Sequence, residues 1–226
     1  DSVWIVAAVV PAYLERLAAM KADVSGAVLR SKMGKTWLES YFFRLTRPAL
    51  THPAFRAFWQ DYRLVDSKFG VIRQGERDFT VALAAAGLHI GALADNAGFV
   101  ARMAEAPDDE VRLALAYGAT VTGGLAEDRA RLLADTPEPH WRTRALAHIG
   151  VALGGGNIWN SQFPVAAIRV MDNPFVKKGR EPIHVDWRAQ LLRSMQAGVL
   201  PEASDRVMAE MSMRQAQGAT LEPHWI

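Results

Sequence analysis

Cysteine is missing from all 226 residues. Without a thiolate there is no disulfide framework, no sulfur-ligated zinc or iron–sulfur site and no cysteine nucleophile. Long apolar runs are missing too. The longest, Val3 to Val10, falls far short of the roughly 20 residues a membrane-spanning helix needs, so no transmembrane helix is expected. An excess of either charge is also lacking: 26 Lys and Arg stand against 24 Asp and Glu, a net charge of +2, with a pI of 9.1. The cations are scattered apart from Arg30/Lys32/Lys35 and Lys177/Lys178/Arg180. Nucleic-acid binding needs a basic stripe or a known motif, and with neither present no nucleic-acid partner is expected. Two small basic clusters suit an anionic sugar-nucleotide or a membrane surface, and equally an ordinary solvated face.

What is present is core-forming material, 50% hydrophobic and 9% aromatic residues with 22% charged. That excludes disorder and predicts one domain of ordinary size, or a domain with a small appendage. The chain opens on Asp1 with no signal-peptide pattern near the start, and the start is read as a cut.

Periodicity sets the expected order. A helix is predicted from Pro11 to Ala22, with Tyr13, Leu17 and Met20 on one face and a proline where a helix starts without wasting a donor. Val24 to Leu29 reads as a short strand broken by Gly26, Ser31 to Lys35 as a loop, and Ser40 to Leu45 as a buried aromatic strand. Pro48 is expected to open a turn. Phe55, Phe58, Trp59 and Tyr62 fall at i, i+3, i+4 and i+7, the stripe of an amphipathic helix. That position assigns Trp59 to the core. A helix is expected to start near Glu76 and Asp78, just after Gly75, and to stop at Gly87; Leu88, Ile90 and Ala92 then alternate as a strand. Helices follow at Asp108–Tyr117, Leu125–Ala134, His140–Val151, Phe163–Met171, Trp187–Gln196 and Pro201–Gln217, with Gly154 to Gly156 as a flexible break. The expected class is α/β.

Several catalytic patterns fail on inspection. Gly34-Lys35-Thr36 looks like the end of a phosphate-binding loop, but the position that needs the first glycine is Leu29. The glycines at 154 to 156 lack dinucleotide-binding spacing. The 6 histidines form no H-x-x-x-H pair, and no G-x-S-x-G is present. The carboxylates Glu76 and Asp78, at an expected helix start, say more, because the helix dipole favours an anion there. An acid in that place is more often a favourable charge than a catalyst, and spacing alone does not name a reaction.

Around Ser40-Tyr41-Phe42 a set of short pieces stands in order along the chain. They are Asp1-Ser2, Ser40-Tyr41-Phe42, Phe55-Arg56-Ala57-Phe58-Trp59, Ser67-Lys68, Gly75-Glu76, Thr80 through Gly87, and Asn173-Pro174-Phe175-Val176-Lys177-Lys178 with Trp187 downstream. Together they resemble the rhamnan synthesis protein F family, bacterial glycosyltransferases that build rhamnose-containing cell-surface polysaccharides. The resemblance covers most of residues 1–100 and returns at about 157–192.

The resemblance implies a partial GT-A-like α/β fold: residues 1–100 as the acceptor-side part of the catalytic domain, 101–156 as a helical segment, and 157–226 as a helical portion completing it. It implies transfer of a deoxyhexose from a nucleotide-sugar donor to a polysaccharide or lipid-linked saccharide acceptor. The nucleotide-binding half would be missing. Asp1 would match the last acid of a motif holding a divalent metal, Mg²⁺ or Mn²⁺, with Ser2 beside it in substrate contact. Glu76 would be the general base, with Asp78 in reserve; Lys177 and Lys178 would contact diphosphate, although adjacent loop lysines are usually solvated. Tyr41, with Trp37, Trp59 and Trp159, would offer rings for stacking on sugar. The implied location is the bacterial cytoplasm, at the cytoplasmic face of the inner membrane, with peripheral attachment. The rival reading is a non-catalytic carbohydrate-binding or scaffold module of a polysaccharide assembly complex.

Overall fold

The computed structural model describes residues 3–6, 9–32, 34–119, 123–134, 140–154, 157–179 and 181–218. It is mixed α/β, 61% helical, with a small mixed sheet. The chain divides into two compact units, residues 12–95 and residues 1–11 with 96–226. These units are drawn differently from the three expected segments: the division falls at 95/96, and the helices of 101–156 share a unit with those of 157–226. The first strand, β1 (Val3–Ile5), belongs to the second of these units.

Helix α1 (Val10–Ala19) buries Tyr13 and Leu17, one turn apart, and ends short of the expected Ala22. Strand β2 (Val24–Lys32) then runs past its expected end at Leu29. A tight turn with Gly34 at φ +74° leads into β3 (Lys35–Leu38), which pairs antiparallel from Lys32↔Lys35 to Leu29↔Leu38. The expected loop at 31–35 is therefore a hairpin. Lys35 and Thr36 are strand residues, Thr36 Oγ1 lying 3.0 Å from Ser31 Oγ, so the phosphate-loop remnant has no loop to form.

The aromatic strand is shorter than its sequence, since β4 (Phe43–Leu45) pairs antiparallel with β2 only from Val24↔Leu45 to Gly26↔Phe43. Between β3 and β4 the chain spends four residues, 39–42, while β2 spends two, 27–28. An excess of this kind breaks the ladder and re-aims side chains and N–H groups. Gly26 answers to it: a Cβ there would come within 3.1 Å of the Phe42 carbonyl oxygen, the close backbone approach that favours glycine in a strand.

Pro48 opens a helix rather than a turn. Thr46 caps α2 (Arg47–Thr51), and His52 caps α3 (Pro53–Asp61) by accepting the Ala54 N–H on Nδ1 at 3.2 Å. After residues 62–67 comes one continuous helical run: α4 (Lys68–Val71), a π-helical segment (Ile72–Asp78) and α5 (Phe79–Ala85). Gly87 at φ +86° ends it, with the Leu88 N–H bonded back to the Leu83 carbonyl, as expected for a glycine stop. Strand β5 (Ile90–Ala94) pairs parallel with β2, Val24↔Ile90 to Val28↔Ala94. The core of this unit is Val24, Leu38, Ala49, Phe79 and Leu83, with Phe43, Phe55 and Phe58 packed against it.

The second unit holds α6 (Asn96–Glu105), α7 (Asp108–Ala116), α8 (Gly123–Ala134), α9 (Trp141–Ala152), α10 (Trp159–Gln162) and α11 (Pro164–Arg169), of which α7, α8, α9 and α11 answer to expected helices. Helix α6 had no counterpart in the expected order. Then come β6 (Phe175–Lys177), α12 (Pro182–Gln196) and α13 (Asp205–Gly218). Strand β6 pairs antiparallel with β1, Trp4 opposite Val176. Before β6, Asn173 Oδ1 accepts the Phe175 N–H at 3.3 Å, a local turn that launches the strand. The core gathers Trp4, Val165, Ile168, Val176, Trp187 and Leu191.

Candidate functional site

Glu76 was expected at a helix N-terminus, but it lies inside the π-helical segment, with helix before and after it. The macrodipole argument does not apply to it. Hydrogen bonds hold it instead. Its Oε2 accepts the Ser40 backbone N–H at 2.9 Å and the Ser40 hydroxyl at 2.7 Å, and its Oε1 accepts Trp37 Nε1–H at 3.1 Å. All three donors come from the end of β3 and the four-residue excursion after it, whose departure from the ladder leaves the Ser40 N–H free to turn toward the helix. Thr80 completes the joint: its hydroxyl donates to the Glu76 carbonyl at 3.2 Å and accepts the Leu38 N–H at 3.2 Å. Sequence reasoning missed Ser40 and Trp37 as partners of Glu76, because those contacts cross 36 and 39 residues; Thr80, four residues on, is a neighbour along the same helical run.

Asp78 stands two positions on, and residues at i and i+2 do not share a helix face. It lines a groove of about 550 Å³ between α3 and the π-helical segment, together with Phe58, Asp61, Tyr62, Arg63 and Gln74. Arg77 Nε sits 3.6 Å from its Oδ1. The groove is largely open to solvent and is lined by the Phe58 and Tyr62 rings with several polar side chains. Glu76 is therefore turned to the sheet and Asp78 to open space. Tyr41 is partly buried within the 39–42 excursion.

The expected sugar-stacking tryptophans separate. Trp37 is committed to Glu76. Trp159 is fully buried and stacked on Phe99 at 5.6 Å, which removes it from any ligand. Trp59, assigned to the core by its stripe, is 49% exposed; it lies edge-on to Phe58 at 5.2 Å and reaches solvent, because α3 lies at the surface.

Lys177 and Lys178 belong to the other unit. Lys178 is not the solvated loop lysine its neighbourhood suggests. Its side chain is 12% exposed; Nζ bonds both Glu210 oxygens at 3.1 and 3.2 Å and lies 5.1 Å from the Trp4 ring centre. Glu210 also accepts Trp4 Nε1–H at 2.8 Å and pairs with Arg214 at 3.4 Å. The Trp4 and Lys178 hydrogen bonds hold its carboxyl below the usual range. The cluster ties β1 and the end of β6 to α13. Lys177 is the last residue of β6, paired with Val3.

Asp1 and Ser2 lie outside the described residues. Among the described residues no group of three or more His, Asp or Glu could hold a metal ion. A further pair escaped sequence reasoning: buried His148 shares a 2.6 Å hydrogen bond with Asp128, a contact between α8 and α9 with no local motif.

No protein-family model matches the chain, and neither curated proteins nor solved structures show a significant similarity to it.

Proposed function

We propose that the chain is the acceptor-side part of a GT-A-like, nucleotide-sugar-dependent glycosyltransferase, which moves a deoxyhexose such as rhamnose onto a cell-surface polysaccharide or lipid-linked saccharide. The Glu76 junction carries this reading. Ser40 and Glu76 belong to two separate pieces of the family resemblance, and they meet in hydrogen bonds of 2.7 and 2.9 Å.

The chemistry divides between the two carboxylates. An acceptor hydroxyl attacks the anomeric carbon of the donor; the bond from that carbon to the diphosphate oxygen breaks, and its electron pair leaves with the nucleoside diphosphate. The hydroxyl proton must pass to a base within hydrogen-bond reach. Asp78, facing the groove, has the room to take it. Glu76, engaged by three donors, is the positioning residue that holds the 39–42 excursion, Tyr41 included, against the helix. The divalent cation, with Asp1 as its ligand, is a proposal from the resemblance alone, as is action at the cytoplasmic face of the inner membrane.

One observation favours the non-catalytic carbohydrate-binding reading: both oxygens of Glu76, the expected base, are already bonded within the fold. Nucleotide release by the full-length protein, measured over a panel of nucleotide-sugars with and without polysaccharide acceptor, separates the two. Acceptor-dependent release supports the transferase; saccharide binding without release supports the module.

A further inference from the structure

Gln162, at the end of α10, is 3% exposed, and its partners fix which way its amide points. Nε2–H donates to the Ala119 carbonyl, while the Ala119 N–H donates to the Gln162 carbonyl at 2.8 Å. A carbonyl only accepts, so the amide nitrogen lies on that side and Oε1 on the other. There Oε1 is buried with no donor, an arrangement that buried acceptors rarely keep. The side chain borders a cavity of about 10 Å³ where the residues after α7 meet α8, α9 and α10, walled also by Arg129, His148, Ala152 and Phe163. That is the room one water takes, and far too little for a sugar or a nucleotide.

The polar groups around the cavity select its ligand. His148 Nδ1 lies 2.6 Å from Asp128 Oδ2, and an ionised carboxylate only accepts, so Nδ1 carries the proton and a neutral ring keeps its lone pair on Nε2. Asp128 is not part of the wall, so the ring meets the cavity with the edge that Asp128 leaves free. Gln162 Oε1 and His148 Nε2 therefore both call for a donor. An anion supplies none, and one imidazole nitrogen with one amide oxygen is too small a set to hold a metal ion. Arg129, whose Nη1 donates to the Gly118 carbonyl, brings further N–H groups to the same wall. Two acceptors and a donor around the volume of one water match a molecule that donates twice and accepts. We propose that this cavity is the site of one structural water, which donates to Gln162 Oε1 and His148 Nε2 and accepts from Arg129. Through it a continuous line of hydrogen bonds runs from the part-exposed Asp128 through His148 to Gln162 and ties α8, α9 and α10 together. The site is independent of the transferase reading.

Two measurements on the full chain test it: a crystal structure at a resolution that shows ordered water, and ¹⁵N NMR of the histidine-labelled protein near neutral pH. The expected result is a water peak within hydrogen-bond distance of Gln162 Oε1 and His148 Nε2, and a neutral His148 ring protonated on Nδ1 alone. Gln162→Met removes the acceptor and should lose the peak. Ala152→Val puts methyl groups into the same space and should displace the water while leaving both acceptors in place; it stands in for the methionine variant if that fails to fold, as circular dichroism shows. A dry cavity in the wild type overturns the proposal. So does a proton on His148 Nε2, or a water peak that persists unchanged in a folded variant.

Discussion

Ser40 gives Glu76 two hydrogen bonds, from its backbone N–H at 2.9 Å and its hydroxyl at 2.7 Å, across 36 residues of chain. A strand that leaves its ladder and a helix that widens into a π turn meet at this carboxylate. π-Helical segments carry an i→i+5 pattern that costs stability, and they often mark functional positions.

The junction predicts the behaviour of Glu76→Ala. The substitution leaves the Ser40 N–H and Trp37 Nε1–H without their acceptor; because Ser40 is exposed and water can replace part of the loss, the expected cost is about 1–2 kcal/mol. Urea unfolding checks the stability, and the Trp37 environment should change in fluorescence. An unchanged midpoint would mean that the excursion is held by something else.

Thr80 is buried, and its hydroxyl both donates to the Glu76 carbonyl and accepts from the Leu38 N–H. Thr80→Val keeps the volume and orphans a buried N–H, so it should cost about 1–3 kcal/mol. Thr80→Ser should recover most of that. Equal stability of the valine and serine variants would contradict the assignment.

Glu210 supplies a pH prediction. Its folded carboxyl titrates below the ordinary range because Trp4 and Lys178 bond its charged form. For a depressed carboxylate the stabilisation is present above the unfolded pKa and is lost as pH falls through the folded one. The stability gap between wild type and Glu210→Gln should therefore be widest near neutrality and close on acidification through the carboxylate range. A gap that stays constant down to the acid limb would show that the pair contributes nothing through charge.

How far the fold could be read in advance depended on whether each element buries a regular stripe. Helix α3 and the stop at Gly87 were legible, because Phe55 and Phe58 pack inward at helical spacing and Gly87 needs a positive φ. The β2–β3 hairpin was not, since Ser31 and Lys35 face solvent and give no alternating signal. Gly75 misled in a different way. It reads as the residue just before a helix start, yet it sits inside the helical run, where a Cβ would press on the Tyr62 hydroxyl at 3.1 Å. With that, Glu76 moved from an expected helix start to a helix interior, and Asp78 became the carboxylate with open space. The partners Ser40 and Trp37 were invisible because only the tertiary fold brings them to Glu76.

The central claim is that Asp78 receives the acceptor's proton while Glu76 positions the excursion. The most direct measurement is nucleotide release by the full-length protein from deoxyhexose donors, with polysaccharide acceptor, for wild type, Asp78→Asn and Glu76→Gln. General-base loss is worth about 10²- to 10⁴-fold in turnover, so Asp78→Asn should fall by that much in kcat with KM little changed, and Glu76→Gln should fall less and lose stability alongside. Full activity in Asp78→Asn, or acceptor-independent hydrolysis in a folded wild type, would contradict the account.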